Sequence, residues 1–245
     1  MVIKKVPLQR NPAKGGKKIL IIAAHPDDET LGCGGTIAKL KKEGSQISCL
    51  FLGQGKSSRH LRGKDKKSKI EKEQVALKEE ASKAAKILGI SKVFFENFPD
   101  QQYETIPLIK IIKSIEKVKG QIKPDTIFTH HSGDLNLDHQ ITLKAVLTAC
   151  RPVRGETVKK IYSFEVLSST EWGIPKRKDC FVPNYFVDIS KTLSQKIKAL
   201  DCYKSELKKY PHPRSLKAIK IIAQRWGTVV GKNFVEAFEL IRCIK

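Results

Sequence analysis

The 245-residue sequence has no apolar run approaching the roughly 18 residues of a membrane span. Its basic opening stretch, "MVIKKVPLQRNPAKGGKK", has no hydrophobic segment behind it, so it does not read as a secretory leader, and the expected location is cytoplasmic. There is no C-x-x-C pair: Cys33, Cys49, Cys150, Cys180, Cys202 and Cys243 are too scattered for a zinc ribbon and are expected to be reduced, small core residues. No internal repeat, low-complexity tract or Gly/Ser-rich linker divides the chain, and 40% hydrophobic residues suffice for one well-filled core. Acidic residues are scarce, 25 against 47 Lys and Arg, giving a formal charge of +22 and a field that concentrates anions. The densest basic loop, "GKSSRHLRGKDKKSK", lacks the interleaved aromatics of a base-stacking platform, so nucleic-acid binding is disfavoured as the main function.

What is present is an alternation of strand-like and helical patterns. "KILIIAA", "QISCLFLG", "KVFFENF" and "DTIFTHH" are short apolar runs, and amphipathic stretches such as "KIEKEQVALKEEASKAAKILGI" and "IPLIKIIKSIEKVKG" separate them. This order predicts right-handed βαβ units on a parallel sheet, with ligands at the carboxyl ends of the strands. After Arg151, "KKIYSFEVL", "NYFVDIS", the helical "LSQKIKALDCYKSEL" and "FVEAFELIRC" are expected to add strands and a closing helix to the same sheet.

The chemistry lies at the end of the first strand, in "AHPDDETLGCGG". His25 and Asp28 stand three apart around a turn set by Pro26, a spacing that lets an imidazole and a carboxylate converge on one cation. Catalytic zinc normally takes three protein ligands, and the third is expected from a neighbouring strand end, where "DTIFTHHSGDLNLDHQIT" offers His139. Two histidines and one carboxylate suit zinc or another divalent ion, which brings the pKa of a coordinated water to roughly 7. Asp27 is then available as general base, Asp138 can hold a ligand imidazole in its tautomer, and Glu29 is expected to face the start of a helix. A turn and helix cap alone would not require His plus two adjacent Asp, nor a second His/Asp cluster at another strand end.

The motif "AHPDDETLGCGGTIAKL" followed by "GDLNLDHQIT", with "FVDISKTLSQKIKALDCYKSE" further on, resembles the PIG-L/LmbE-like deacetylases from Lys18 to Arg242. The resemblance implies a Rossmann-like three-layer α/β fold with a mostly parallel sheet, residues 1–17 forming a basic tail and 18–245 one LmbE-like deacetylase domain. It also implies zinc-dependent removal of an N-acetyl group from an N-acetylglucosamine-type sugar or a nucleotide or lipid conjugate of one. Carried over by motif, His25, Asp28 and His139 are metal ligands and Asp27 the base. Many family members have a histidine where this chain has Asn136, which can donate a hydrogen bond to an oxyanion but cannot deliver a proton. The general-acid role then passes to Asp27 or to another histidine, His212 in "YPHPRS" or His131 in the strand-end loop, the latter also a candidate substrate contact. Arg59 and Arg214 are candidates to meet a phosphate on the substrate.

Two rivals compete. In a dinucleotide-binding reading of "GCGG" the glycine spacing is wrong and strand-tip carboxylates would repel a pyrophosphate. The other rival is a basic nucleic-acid binder on an inactive deacetylase-like scaffold, which the intact His25, Asp27, Asp28 and His139 set argues against.

Overall fold

A computed structural model of the protein describes residues 16–55, 66–173 and 179–245. Seven strands form one sheet: β1 (Lys18–Ala23), β2 (Gln46–Gly53), β3 (Lys92–Phe98), β4 (Thr126–His130), β5 (Lys160–Phe164), β6 (Tyr185–Asp188) and β7 (Val235–Cys243). Their spatial order is β3-β2-β1-β4-β5-β7-β6, parallel from β3 through β5, with β7 antiparallel to both β5 and β6. The helices are α1 (Asp28–Lys42), α2 (Lys66–Leu88), α3 (Leu108–Ile122), α4 (Leu137–Ala149), α5 (Leu193–Leu200) and α6 (Leu216–Val230). Among the described residues no helix is long and apolar enough to cross a membrane.

The two-residue period of β1 divides the core between two layers. Ile19, Ile21 and Ala23 pack in one buried cluster with Leu31 and Ile37 of α1 and Leu77, Ala81 and Leu88 of α2. Leu20, Ile22 and Ala24 enter the other, with Ile111 and Ile115 of α3 and Ala145 and Val146 of α4. Because both faces are covered, β1 reads as a continuous apolar run. Strand order reverses direction at β1, between β2 and β4, and the carboxyl ends of β1 and β4 therefore flank the crevice where open α/β sheets place ligands.

The "GCGG" stretch is built for packing. Helix α1 is interrupted at Cys33 (φ −144°, ψ 21°), which releases the Leu31 carbonyl and the N–H groups of Gly35 and Thr36 from the helical ladder. A buried pair from distant elements satisfies them: Glu236 accepts from Gly35 N at 2.9 Å and Thr36 N at 2.6 Å. Lys196 Nζ donates to Leu31 O at 2.7 Å and to Glu236 at 2.6 Å. Gly32 lies where any Cβ would collide with the Phe164 ring, so the helix comes this close to β5 only without a side chain. Of the cysteines, Cys33, Cys49 and Cys150 are buried as expected, whereas Cys180 and Cys243 are exposed; all six are free thiols.

Candidate active site

Helix α1 starts directly after β1, and the turn between them forces Asp27 into the left-handed region at φ 111°. This conformation is costly for a residue with a Cβ and marks a backbone held by its surroundings. It sends Asp28 back over the strand end, where Oδ2 accepts from His25 N at 2.8 Å. Helix α4 begins after the β4 loop, capped by Asn136 Oδ1 accepting from Asp138 N at 2.9 Å, and its first turn carries Asp138 and His139, both buried, to the same place.

Neighbouring carboxylates decide which nitrogen each imidazole presents, by a hydrogen bond at His25 and by an ion-pair contact at His139. His25 Nε2 donates to Asp138 Oδ2 at 2.8 Å, and that carboxylate is held by Gln101 N (2.7 Å) and Tyr103 N (3.0 Å), so it acts as an acceptor. The His25 lone pair is therefore on Nδ1, 3.5 Å from Asp28 Oδ2. His139 Nδ1 faces Asp134 Oδ2 at 3.1 Å, and Asp134 accepts from Asn136 N, Ser169 Oγ and Thr170 Oγ1. His139 thus turns Nε2 toward Asp28 Oδ2, 3.4 Å away. Ligands at about 2.0–2.2 Å around a tetrahedral ion stand about 3.3–3.6 Å from one another, so both spacings match one small cation. Asp28 Oδ1 is buried with no hydrogen-bond partner among the described residues, an uncompensated acceptor that a cation would satisfy. The residues present fit a divalent ion of the zinc type.

A second donor group, His25, Asp100 and Asp138, reads differently. His25 Nε2 approaches Asp138 at hydrogen-bond distance and Asp100 Oδ1 at 3.2 Å, so these carboxylates orient the ring. His130 is also near, with Nε2 3.5 Å from Asp28, but that nitrogen already accepts Ala24 N at 2.8 Å, which excludes it as a ligand.

The charges are set by burial and neighbours. For Asp28, burial acts upward, but His139 and His130 outweigh it and hold the carboxyl well below its usual range. For His139, burial acts downward while Asp28 and Asp134 push it up to about 9. Burial drives His130 down to about 3, with the charge of His139 acting in the same direction. Asp27 is raised well above the usual carboxylate value by burial, with Arg214 opposing.

Residues 20–150, more than half of the chain, match the PIG-L family, described as GlcNAc-PI de-N-acetylase. The uncharacterized deacetylase YaiS of Escherichia coli is 31% identical over 175 residues, covering 69% of this chain and 85% of that protein. The chain belongs to the PIG-L deacetylase family. The diacetylchitobiose deacetylase of Thermococcus kodakarensis is 26% identical over 242 residues, covering 94% of this chain and 85% of the relative. The fold of this PIG-L protein matches the solved structure of N,N'-diacetylchitobiose deacetylase from Pyrococcus horikoshii with a TM-score of 0.73 at 21% identity, covering 95% of this chain and 86% of that one.

Around the donor set of this PIG-L protein lies a cleft of about 100 Å³, bordered by His25, Asp27, Asp100, Asn136, Glu206 and Arg214. Arg214 Nη1 donates to Asp27 Oδ2 at 3.0 Å and to Glu206 Oε2 at 3.2 Å. Nη1 of the guanidinium is thus engaged by two carboxylates, and the expected contact of Arg214 with a substrate phosphate stays a proposal. His131 sits away from the cleft lining, its ring nitrogens engaged by Glu239 Oε2 (2.8 Å) and the Asp179 carbonyl (3.0 Å), consistent with a packing residue. His212 borders the outside: its Nδ1 accepts from Arg214 N at 3.1 Å and its ring meets Trp172 edge-on at 5.9 Å. Arg59 lies outside the described residues. Glu29 lies in the first turn of α1, as expected of a helix-start carboxylate, and is fully buried there. It accepts from Tyr203 OH at 2.8 Å, from Asp27 N at 3.1 Å and from Thr30 Oγ1, and burial pushes its pKa up to about 7.

Sequence reasoning missed Asp100, Asp134, Glu206 and His130. The signal for Asp134 was its place two residues before the Asn136 cap, and for His130 the alternation of β4, which turns adjacent His130 and His131 to opposite faces. Nothing local marks Asp100 or Glu206.

Proposed function

We propose that the protein is a metal-dependent hydrolase that removes the acetyl group from an N-acetylglucosamine-type sugar, with His25 Nδ1, Asp28 and His139 Nε2 holding zinc. The observation that carries this reading is the spacing of those three donors around one point, with Asp28 Oδ1 buried and unpartnered beside them. The ion supplies Lewis acidity to the amide carbonyl and makes a water acidic near neutral pH.

The chain's own groups do the rest. Arg214 grips Asp27 through Oδ2, and among the described residues no donor contacts Oδ1, so that oxygen takes the proton of the attacking water. The ion pair with Arg214 opposes the upward push of burial, and the raised carboxyl that results is the stronger base for this role. Asp138 and Asp134 hold the two imidazoles in their ligating tautomers. Asn136 spends Oδ1 on the helix cap, which leaves its amide N–H₂ as a donor to the developing oxyanion. Asp27 returns the proton to the departing amine, since His212 lies outside the cleft lining.

The test is acetate release from a panel of free, lipid-linked and nucleotide-linked N-acetyl sugars with the zinc-loaded protein. Acetate from one class identifies the substrate. No acetate from any, with salt-dependent DNA or RNA binding and less than one tightly held zinc, would favour the nucleic-acid binder on an inactive scaffold.

A further inference from the structure

We infer that Trp172 is the stacking platform for the pyranose ring of the substrate, set at the rim of the cleft by the same contacts that orient the reacting groups. The inference rests on the reading of the site as a deacetylase for N-acetylated sugars. A single exposed apolar side chain is ordinary on a protein surface. Trp172, 52% exposed, differs because its backbone and its ring are tied to the two halves of the site.

The backbone tie runs to His139. Trp172 ends a 3-10 turn, Thr170–Trp172, whose residue Thr170 and preceding Ser169 donate through their hydroxyls to Asp134, the carboxylate facing His139. Glu171 closes the turn from inside, accepting from Ser168 N at 2.6 Å and Ser169 N at 3.3 Å. Next, Gly173 lies against the loop that leads into α4: a Cβ there would come within 2.7 Å of the Gly133 carbonyl. The ring tie runs to Asp27. The indole meets His212 edge-on, His212 accepts from Arg214 N, and Arg214 holds Asp27 and donates Nε to Leu167 O at 3.5 Å.

The indole is therefore an exposed apolar plate linked through His212 to Arg214, which borders the polar cleft. A pyranose has that same duality, an apolar C–H face and a hydroxyl-bearing edge, and aromatic rings match it by stacking on the first while polar groups meet the second. The T-shaped contact with His212, the rings at 79°, orients the indole, which gives the histidine of "YPHPRS" a positioning role.

The experiment uses zinc-loaded full-length protein and two probes, N-acetylglucosamine and its β-1,4-linked dimer. Trp172→Ala should raise KM for the dimer roughly three- to tenfold, the size of one aromatic contact, with kcat and bound zinc within twofold of wild type. Trp172→Phe should recover most of the loss. In the Asp27→Asn background, calorimetric titration should show the same weakening of the dimer Kd on Trp172→Ala. Unchanged KM and Kd, or a fall in kcat with loss of zinc, would overturn the inference. If wild type releases no acetate while dimer binding remains Trp172-dependent, the reading of the reaction fails and the platform stands. If acetate is released with no dependence on Trp172, the platform alone fails.

Discussion

Removing the metal should cost the fold a large and site-specific amount of stability. In chelated protein Asp28 Oδ1 is a buried acceptor without a donor, a situation worth about 1–3 kcal/mol of destabilisation. A cation held by His25, Asp28 and His139 removes that penalty as part of its affinity, and zinc at a thousandfold excess over its dissociation constant stabilises the fold by about 4 kcal/mol in total. For a chain of this length each kcal/mol moves the melting temperature by about 2–4 °C, so saturation should raise Tm by about 8–16 °C. The assay is differential scanning calorimetry with chelator and with zinc, on wild type and on Asp28→Ala. The exposed thiols Cys180 and Cys243 can hold zinc in either protein, so the difference between the two shifts is the readout. A zinc-dependent rise of the same size in Asp28→Ala, or none in wild type, would refute the reasoning.

Further expectations concern individual groups. Zinc affinity should rise with pH: His139 is pushed up to about 9, so at pH 7 its ring carries a proton that must leave, and binding is about a hundredfold weaker than above pH 9. Calorimetry in buffers of different ionisation enthalpy should show at least one proton released at pH 7; no release would contradict the assignment. Asp27→Asn should keep its zinc and lose kcat by roughly 10²–10⁴-fold, read from metal analysis and initial rates; loss of metal instead would place Asp27 among the ligands. Asp138→Ala frees the His25 ring and should weaken zinc about 10–100-fold in a competitive chelator titration. Tyr203→Phe removes a donor from buried Glu29 and should lower stability by about 1–3 kcal/mol in urea unfolding, with metal content unchanged.

The parallel α/β sheet was legible because β1 and β2, covered on both sides, must be apolar throughout, and the helices between them carry a different period. The antiparallel β7 was legible as a strand but not in direction, since its pairing with β5 and β6 joins segments far apart in the chain. The site was legible where residues sit on one turn or at one helix start: His25, Asp27 and Asp28 at the β1–α1 turn, Asp138 and His139 at the start of α4. Its supporting network was not. Asp100 and Glu206 reach the cleft from other loops by tertiary packing, which no local spacing encodes, and the pairing of Arg214 with Asp27 and Glu206 is equally invisible to it. Glu29 was legible as a helix-start carboxylate, but its burial was not, because Tyr203, which donates to it, lies far along the chain.

The central claim is that His25, Asp28 and His139 hold the metal needed for release of acetate from an N-acetyl sugar. Its most direct measurement is acetate release from N-acetylglucosamine-type sugars by wild type and by His139→Ala, each stripped by chelation and then titrated with zinc while bound metal is counted. Wild-type activity should be lost on stripping and return in proportion to zinc up to one equivalent, and His139→Ala should hold less zinc and release little acetate. Full activity in stripped wild type, or a His139→Ala protein that keeps one tightly held zinc and unchanged turnover, would contradict it.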